Sequence, residues 1–243
     1  MLRKIMTAAF ALAVSATASA SVINIGGVEF EPSGNNISSG QVFQELNPDG
    51  SFTTWGLIDE TDYNCVGCEL TFVASAAGGA NVVGTKVDGG NVSNAYASFS
   101  LKVYVDYAEN FSAGDSSKSE DGDLWLELAG HSTDLTDLGF AGVMGSFIGD
   151  LATINGNPIF LLGRGILDVV GGLAASNFDT DTQFDGSDLQ TTVAFPNNSV
   201  TGGVVVSEGT GSFSGQSIPE PASIALLGLG LLGFAGAARR RKA

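Results

Sequence analysis

The stretch FSLKVYVDY, Phe99 to Tyr107, alternates along its whole length. Phe99, Leu101, Val103, Val105 and Tyr107 fall on one side, and Ser100, Lys102, Tyr104 and Asp106 on the other. That period of two predicts a strand with one face in a core and one toward water. DLWLEL, Asp123 to Leu128, repeats the scheme, with Leu124, Leu126 and Leu128 expected inward and Asp123, Trp125 and Glu127 outward.

Working outward, shorter runs of the same kind occur at Ser21–Ile25, Gln41–Leu46, Phe52–Ile58, Glu69–Ala74, Asn81–Val87, Pro158–Leu162, Gly165–Val170, Leu189–Phe195 and Val200–Ser207. Turn-forming residues separate them at Pro32–Gly40, Asn47–Gly50, Ser112–Gly122, Asn155–Asn157 and Asp179–Asp188. Ile166, Val169, Val170 and Leu173 also fit a helical stripe, but Gly171 and Gly172 would cost a helix about 2 kcal/mol, so a strand ending in a glycine turn is expected. Gly139–Gly149 has no clear period. The expectation is an all-β chain: one antiparallel β-sandwich or jelly-roll-like domain, flanked by an N-terminal signal helix and a C-terminal transmembrane helix.

The two ends differ from the middle. Arg3 and Lys4 precede an apolar run from Ile5 to Val14, and Ala18-Ser19-Ala20 has the small-residue form of a cleavage site. Residues 1–20 thus read as a signal peptide, with Ser21 beginning the mature chain. At the other end Pro219, Glu220 and Pro221 precede 17 uncharged residues, Ala222–Ala238, and then Arg239, Arg240, Arg241 and Lys242. A helix of that length spans roughly 25 Å, near the lower limit for a bilayer, and the basic cluster would stop it on the cytoplasmic side. Residues 21–217 form the exported body and 218–243 the tail.

Most of the cations lie at these ends. Over residues 21–218 only Lys86, Lys102, Lys118 and Arg164 face 25 acids, a formal charge of −21. A body so acidic repels nucleic acid and anionic headgroups and attracts divalent cations.

Pro-Glu-Pro, a short Gly/Leu/Ala-rich span and a terminal basic cluster, in that order, resemble the PEP-CTERM sorting signal of Gram-negative bacteria. The segments from Trp55 through Cys65, Cys68 and Phe72, and from Gly171 to Thr180 with Asp185 and Gly186, are similar to segments of PEP-CTERM proteins with all-β bodies. The resemblance implies a partner, an exosortase-type membrane enzyme acting near Pro219–Pro221. It also implies a precursor held in the membrane by its C-terminal helix and a setting at the cell surface, among exopolysaccharide or other envelope components of a biofilm. It supplies no catalytic residues.

Cys65 and Cys68 are the only cysteines. A redox C-x-x-C belongs at a helix N-terminus in a βαβ unit, and a zinc site needs two more ligands where His131 is the sole histidine. In an oxidising compartment the pair reads as a small structural disulfide. His131, Ser132 and Asp134 stand too close in sequence to assemble a triad, so His131 reads as a surface-loop residue.

Asp179, Asp181, Asp185 and Asp188 put four carboxylates within ten residues, and Asp115, Glu120, Asp121 and Asp123 four within nine. Hard oxygens at this density are candidate Ca²⁺ ligands, of the weak extracellular kind (on the order of 10⁻⁴–10⁻³ M), and they read equally as solvated acidic turns. An EF-hand does not fit: counting from Asp181 puts Gly186 at its proper place but Thr192 where a glutamate belongs. The expected function is a non-enzymatic, adhesive or structural surface or matrix protein. Its rivals are a secreted polysaccharide-active enzyme using paired carboxylates, and a carbohydrate-binding module using Trp55, Trp125 and Tyr104 as exposed aromatics.

Overall fold

A computed structural model describes residues 22–30, 36–60, 63–88, 91–154, 157–201 and 204–218. The strands are β1 (Ile23–Ile25), β2 (Val28–Phe30), β3 (Asn36–Leu46), β4 (Phe52–Leu57), β5 (Asn64–Cys65), β6 (Glu69–Ala76), β7 (Val82–Asp88) and β8 (Asn91–Tyr96). They continue with β9 (Ser100–Asp106), β10 (Asp123–Gly130), β11 (Thr133–Asp134), β12 (Met144–Gly145), β13 (Phe147–Ile154), β14 (Asn157–Gly171), β15 (Leu189–Thr201) and β16 (Val204–Gly215). A short α-helix, α1 (Ala175–Phe178), and a 3-10 turn at Phe184–Gly186 lie between β14 and β15.

The all-β antiparallel expectation holds, and the sheet goes further by closing on itself. The order β10-β9-β6-β4-β3-β16-β15-β14 returns to its start through a β10–β14 pairing, giving an eight-stranded, barrel-like ring, with β13, β8 and β7 continuing outward from β14. The long strand β14 makes both arrangements possible. Its first half pairs with β13 and its last residues with β10, and Ile166 sits at the fork, donating to Ser146 O and accepting from His131 N–H. At Gly165 an added Cβ would lie 2.7 Å from the Phe99 ring and 2.9 Å from Ser146 O, so the fork tolerates no side chain there.

The strand at Phe99–Tyr107 is β9, with Leu101, Val103 and Val105 buried as its alternation predicts; Tyr107 instead points outward and donates its hydroxyl to Gly26 O at 2.8 Å. In β10 the alternation fails. The register slips between Leu124 and Leu126, a β-bulge, so Trp125 and Leu126 both turn inward and are fully buried. Trp55 is also buried, and Tyr104 half-buried. The expected exposed aromatic set is therefore corrected: both tryptophans belong to the interior and offer no stacking platform for a sugar.

Other differences are matters of length. Pro158–Leu162 and Gly165–Val170 form the single strand β14, while Val200–Ser207 is divided between β15 and β16, where Thr201 faces Val204. Gly139–Gly149 resolves into a turn, β12 and the start of β13, with Phe140 packed on Leu135, Ala95 and Ile148 in a small satellite core. The Gly171-Gly172 turn is as expected: Gly172 has φ +97°, and a Cβ on it would lie 2.6 Å from Trp125 O.

A β1–β2–β5 sheet packs on the main core. Its hairpin turns on Gly26 and Gly27 (φ +60° and +83°), as a two-residue primed turn requires. Trp125 Nε1 donates to Ile25 O at 3.0 Å, and Phe30 packs on Tyr63, Trp125 and Phe178 with ring centroids 5.3–5.8 Å apart. Cys65 and Cys68 form a disulfide, with Cα atoms 5.3 Å apart across a turn at Gly67, which ties β5 to the start of β6.

Three exposed turns share the pattern Asp-x-Ser/Thr. Asp49, Asp115 and Asp134 each accept from the N–H and the hydroxyl two residues on, at Ser51, Ser117 and Thr136. The hydroxyl bond first, and the N–H bond with it, lowers each carboxyl below its ordinary range. A depressed folded-state value favours the fold above the unfolded value near 4, and the benefit disappears as pH falls through the folded value.

Two outcomes follow. Trp125→Ala should destabilise the protein by roughly 3–5 kcal/mol in urea unfolding, because it removes a fully buried ring and its bond to Ile25 O. Amide resonances of Ser51, Ser117 and Thr136 should titrate together, with midpoints below those of matching unfolded peptides; midpoints at or above the peptide values would contradict the bonding described.

Candidate functional site

The acidic loop between α1 and β15 is built inward from Asp188. This residue is 2% exposed, and its main-chain N–H donates to Leu167 O at 2.9 Å. Its Oδ2 accepts from Val169 N–H at 2.8 Å, replacing a ladder partner where β15 has not yet begun. Its Oδ1 accepts from Thr180 and Asp181 N–H at 2.6 and 2.7 Å, cinching the loop around one carboxylate. Such charge-assisted bonds to backbone N–H compensate a buried carboxylate directly.

Of the four residues read as calcium ligands, three come together. Asp179, Asp181 and Asp188 each place a carboxylate oxygen within 4.8 Å of the others, Asp179 and Asp181 being exposed. Asp185 is pulled away, accepting from Thr133 Oγ1 at 2.6 Å. The three could hold a hard divalent cation, but Asp188 already carries three N–H donors, so the arrangement explains itself as a loop clasp. In the second acidic segment Asp115 caps its own turn, and Asp121 bonds Lys118 and Asn110 at 3.2 and 3.3 Å.

His131 is held by Asp168, whose oxygens lie 2.8 and 2.9 Å from Nδ1. Asp134 faces Thr136 instead, so His131, Ser132 and Asp134 are not assembled into a triad. A groove of about 530 Å³ lies outside β13–β16, lined by Ile148, Leu162 and Val193 with Asp150 and Arg164.

The body ends in a contact that the sequence reading missed. Ile218 N–H donates to Asn177 O at 2.7 Å, and Asn177 Nδ2 donates to Ile218 O at 3.1 Å. Asn177, in α1 and 7% exposed, thus holds the last described residue before Pro219. The polar Asn between Ser176 and Phe178 was the available signal, since a buried amide needs partners.

Pro219, Glu220, Pro221, Arg239, Arg240, Arg241 and Lys242 lie outside the described residues, as do Ala18, Ala20, Ser21, the signal helix and the expected transmembrane helix. Among the described residues no helix is long and apolar enough to cross a membrane.

A closed antiparallel β domain followed by a C-terminal address is the class these observations define. The address is established: a family model for the PEP-CTERM protein-sorting motif matches residues 217–242, one residue earlier at each end than the tail as read from sequence. No curated protein and no solved structure matches the chain. The motif makes this an exported, exosortase-sorted protein with a membrane-anchored precursor.

Asp188→Ala should cost roughly 3 kcal/mol, since three N–H groups lose their acceptor together. The loss should appear in the urea midpoint and as faster amide exchange at Val169, Thr180 and Asp181; slow exchange retained at all three would refute the clasp.

Proposed function

We propose that the processed chain is a non-enzymatic protein of the Gram-negative cell surface or extracellular matrix, with an adhesive or structural role. The observation that carries this reading is that the sorting motif begins in sequence where the folded body ends. Residue 217, where the match begins, and Ile218 belong to the anchored end of the barrel. The protein is thus a compact acidic domain joined to its address with no intervening linker.

The body's chemistry supports the same reading. All four of its cations have partners or neighbours of opposite charge: Lys102 pairs with Glu127 at 2.9 Å, Lys118 with Asp121, Arg164 shares a groove with Asp150, and Lys86 shares one with Asp88 and Asp150. Among the described residues Asp49, Asp115 and Asp134 organise exposed turns, and Asp179 and Asp181 are exposed, a surface suited to bridging by divalent ions between acidic polymers. Asp179 and Asp181 are the exposed carboxylates offered at the loop clasp, and Ca²⁺ is the ion proposed there.

The test compares cells carrying the native chain, a Pro219→Ala/Pro221→Ala chain, and no chain. The native protein should leave the cell with its first 20 residues removed, as read from intact mass. The double variant should accumulate in the membrane fraction, and matrix cohesion should fall in it as far as in cells lacking the chain. Unchanged cohesion in cells lacking the chain would refute the adhesive or structural role. Recovery of the native protein with Met1 in place would refute export through the signal peptide.

A further inference from the structure

The segment joining β9 to β10 lies as a strap over the outer wall of the barrel. Glu69 faces Asp106, and Thr71 faces Tyr104, across the β6–β9 pair, so all four side chains share one face. Leu70, Phe72, Val103 and Val105 occupy the other face, in the core. Although the first face is the outer one, Thr71 is fully buried and Asp106 is 6% exposed, because the strap covers them. Thr71 Oγ1 donates to Ser119 O at 2.9 Å, Phe111 packs on Phe43 with centroids 6.2 Å apart, and Phe111 N–H donates to Glu69 Oε1 at 2.7 Å.

Among the described residues, the interior of this contact holds two carboxylates and no cation, and its N–H donors do not reach every buried oxygen. Asp106 Oδ1 accepts from Ala108 N–H at 2.8 Å, but Asp106 Oδ2 is buried with no hydrogen-bond partner among the described residues. Asn110 Oδ1 and Ser119 Oγ, both on the strap, are buried without partners in the same way. Lys118, the strap's cation, is spent on Asp121, whose Oδ2 also receives Asn110 Nδ2. That second bond turns the amide nitrogen of Asn110 outward to Asp121 and leaves its oxygen as the buried end.

We propose that Asp106, Glu69 and Asn110 form a divalent-cation site, of the oxygen-rich kind that takes Ca²⁺, which fastens the strap to the barrel wall. A water molecule donates at most two hydrogen bonds and leaves two opposed carboxylates uncompensated. A hard cation satisfies the orphaned oxygens and the charge together. Glu69 faces Asp106 across the strand pair, and the strap supplies its Oε1 with the Phe111 N–H while Asp106 Oδ2 receives nothing among the described residues.

The site differs from the Asp179–Asp181–Asp188 clasp, where the one buried carboxylate already has three donors. Here Asp106 Oδ2 and Asn110 Oδ1 have none among the described residues.

The experiment is hydrogen exchange on the exported full chain, stripped with chelator and titrated with CaCl₂ to about 10 mM, tenfold above the weakest extracellular sites. Exchange of Ala108, Asn110 and Phe111 N–H should slow by about tenfold at saturation, as mass action on the closed strap requires. Asp106→Asn and Asn110→Ala should each abolish the slowing, and Asp181→Asn should leave it intact. Three results would overturn the proposal: no slowing in the native chain, slowing that survives both strap variants, or equal slowing by NaCl at matched ionic strength. Slowing lost only in Asp181→Asn would place the ion at the other loop and overturn it as well. Should Asp106→Asn fail to fold, the native titration and Asn110→Ala still decide.

Discussion

The inward turn of Trp125 is the contact on which the rest of the architecture depends. A regular strand would have sent this side chain into water; the bulge at Leu124–Leu126 sends it into the core instead. Once there it accepts and donates in three directions: Ala174 N–H bonds its carbonyl at 2.8 Å, its Nε1 bonds Ile25 O, and its ring meets Phe30, Tyr63 and Phe178. The first bond fixes the turn after β14, the second fixes the β1–β2 hairpin, and the ring contacts join both to the barrel. Gly172 is required at the same place, because its backbone approaches Trp125 O and the Leu126 backbone too closely for any Cβ. Bulge, glycine turn and β10–β14 closure therefore form one structural unit rather than separate features.

Alternation was legible wherever a strand kept a single register. Phe99–Val105 and Glu69–Ala74 could be read directly, as could the glycine turn at Gly171-Gly172 and the turn at Asn47–Gly50. Trp125 could not, because a bulge adds one residue without leaving a compositional mark, and a period-two reading that places Leu126 and Leu128 inward then assigns Trp125 to the wrong face. The β1–β2 hairpin was in principle readable: Gly26-Gly27 stands between two short apolar runs, the preferred composition for a primed turn. Ring closure is different in kind. It is set by which half of β14 meets β10 and which meets β13, and single-strand patterning carries no such pairing information.

The acids divide along similar lines. Sequence spacing placed Asp179, Asp181, Asp185 and Asp188 together, yet Asp185 goes to Thr133 and Asp188 is used up by backbone donors. The pair at Glu69 and Asp106 was invisible, because the two lie 37 positions apart and only strand register makes them neighbours. Density along the chain is thus a poor guide to where carboxylates lack compensation. Burial and donor supply decide it, and both are properties of the fold.

The ends of the body meet at the same structural unit. At the N-terminal side, Ile25 is held by Trp125; at the C-terminal side, Ile218 is held by Asn177, the neighbour of Phe178, whose ring packs on Trp125. The chain that follows the signal peptide and the chain that leads into the sorting motif therefore converge on one aromatic cluster. Because Ile218 is bonded in the folded body and Pro219 follows it at once, nothing in the sequence separates the folded domain from its address. Loss of packing around Trp125 would release both ends together, so the integrity of the barrel and the anchoring of Ile218 rest on the same few contacts.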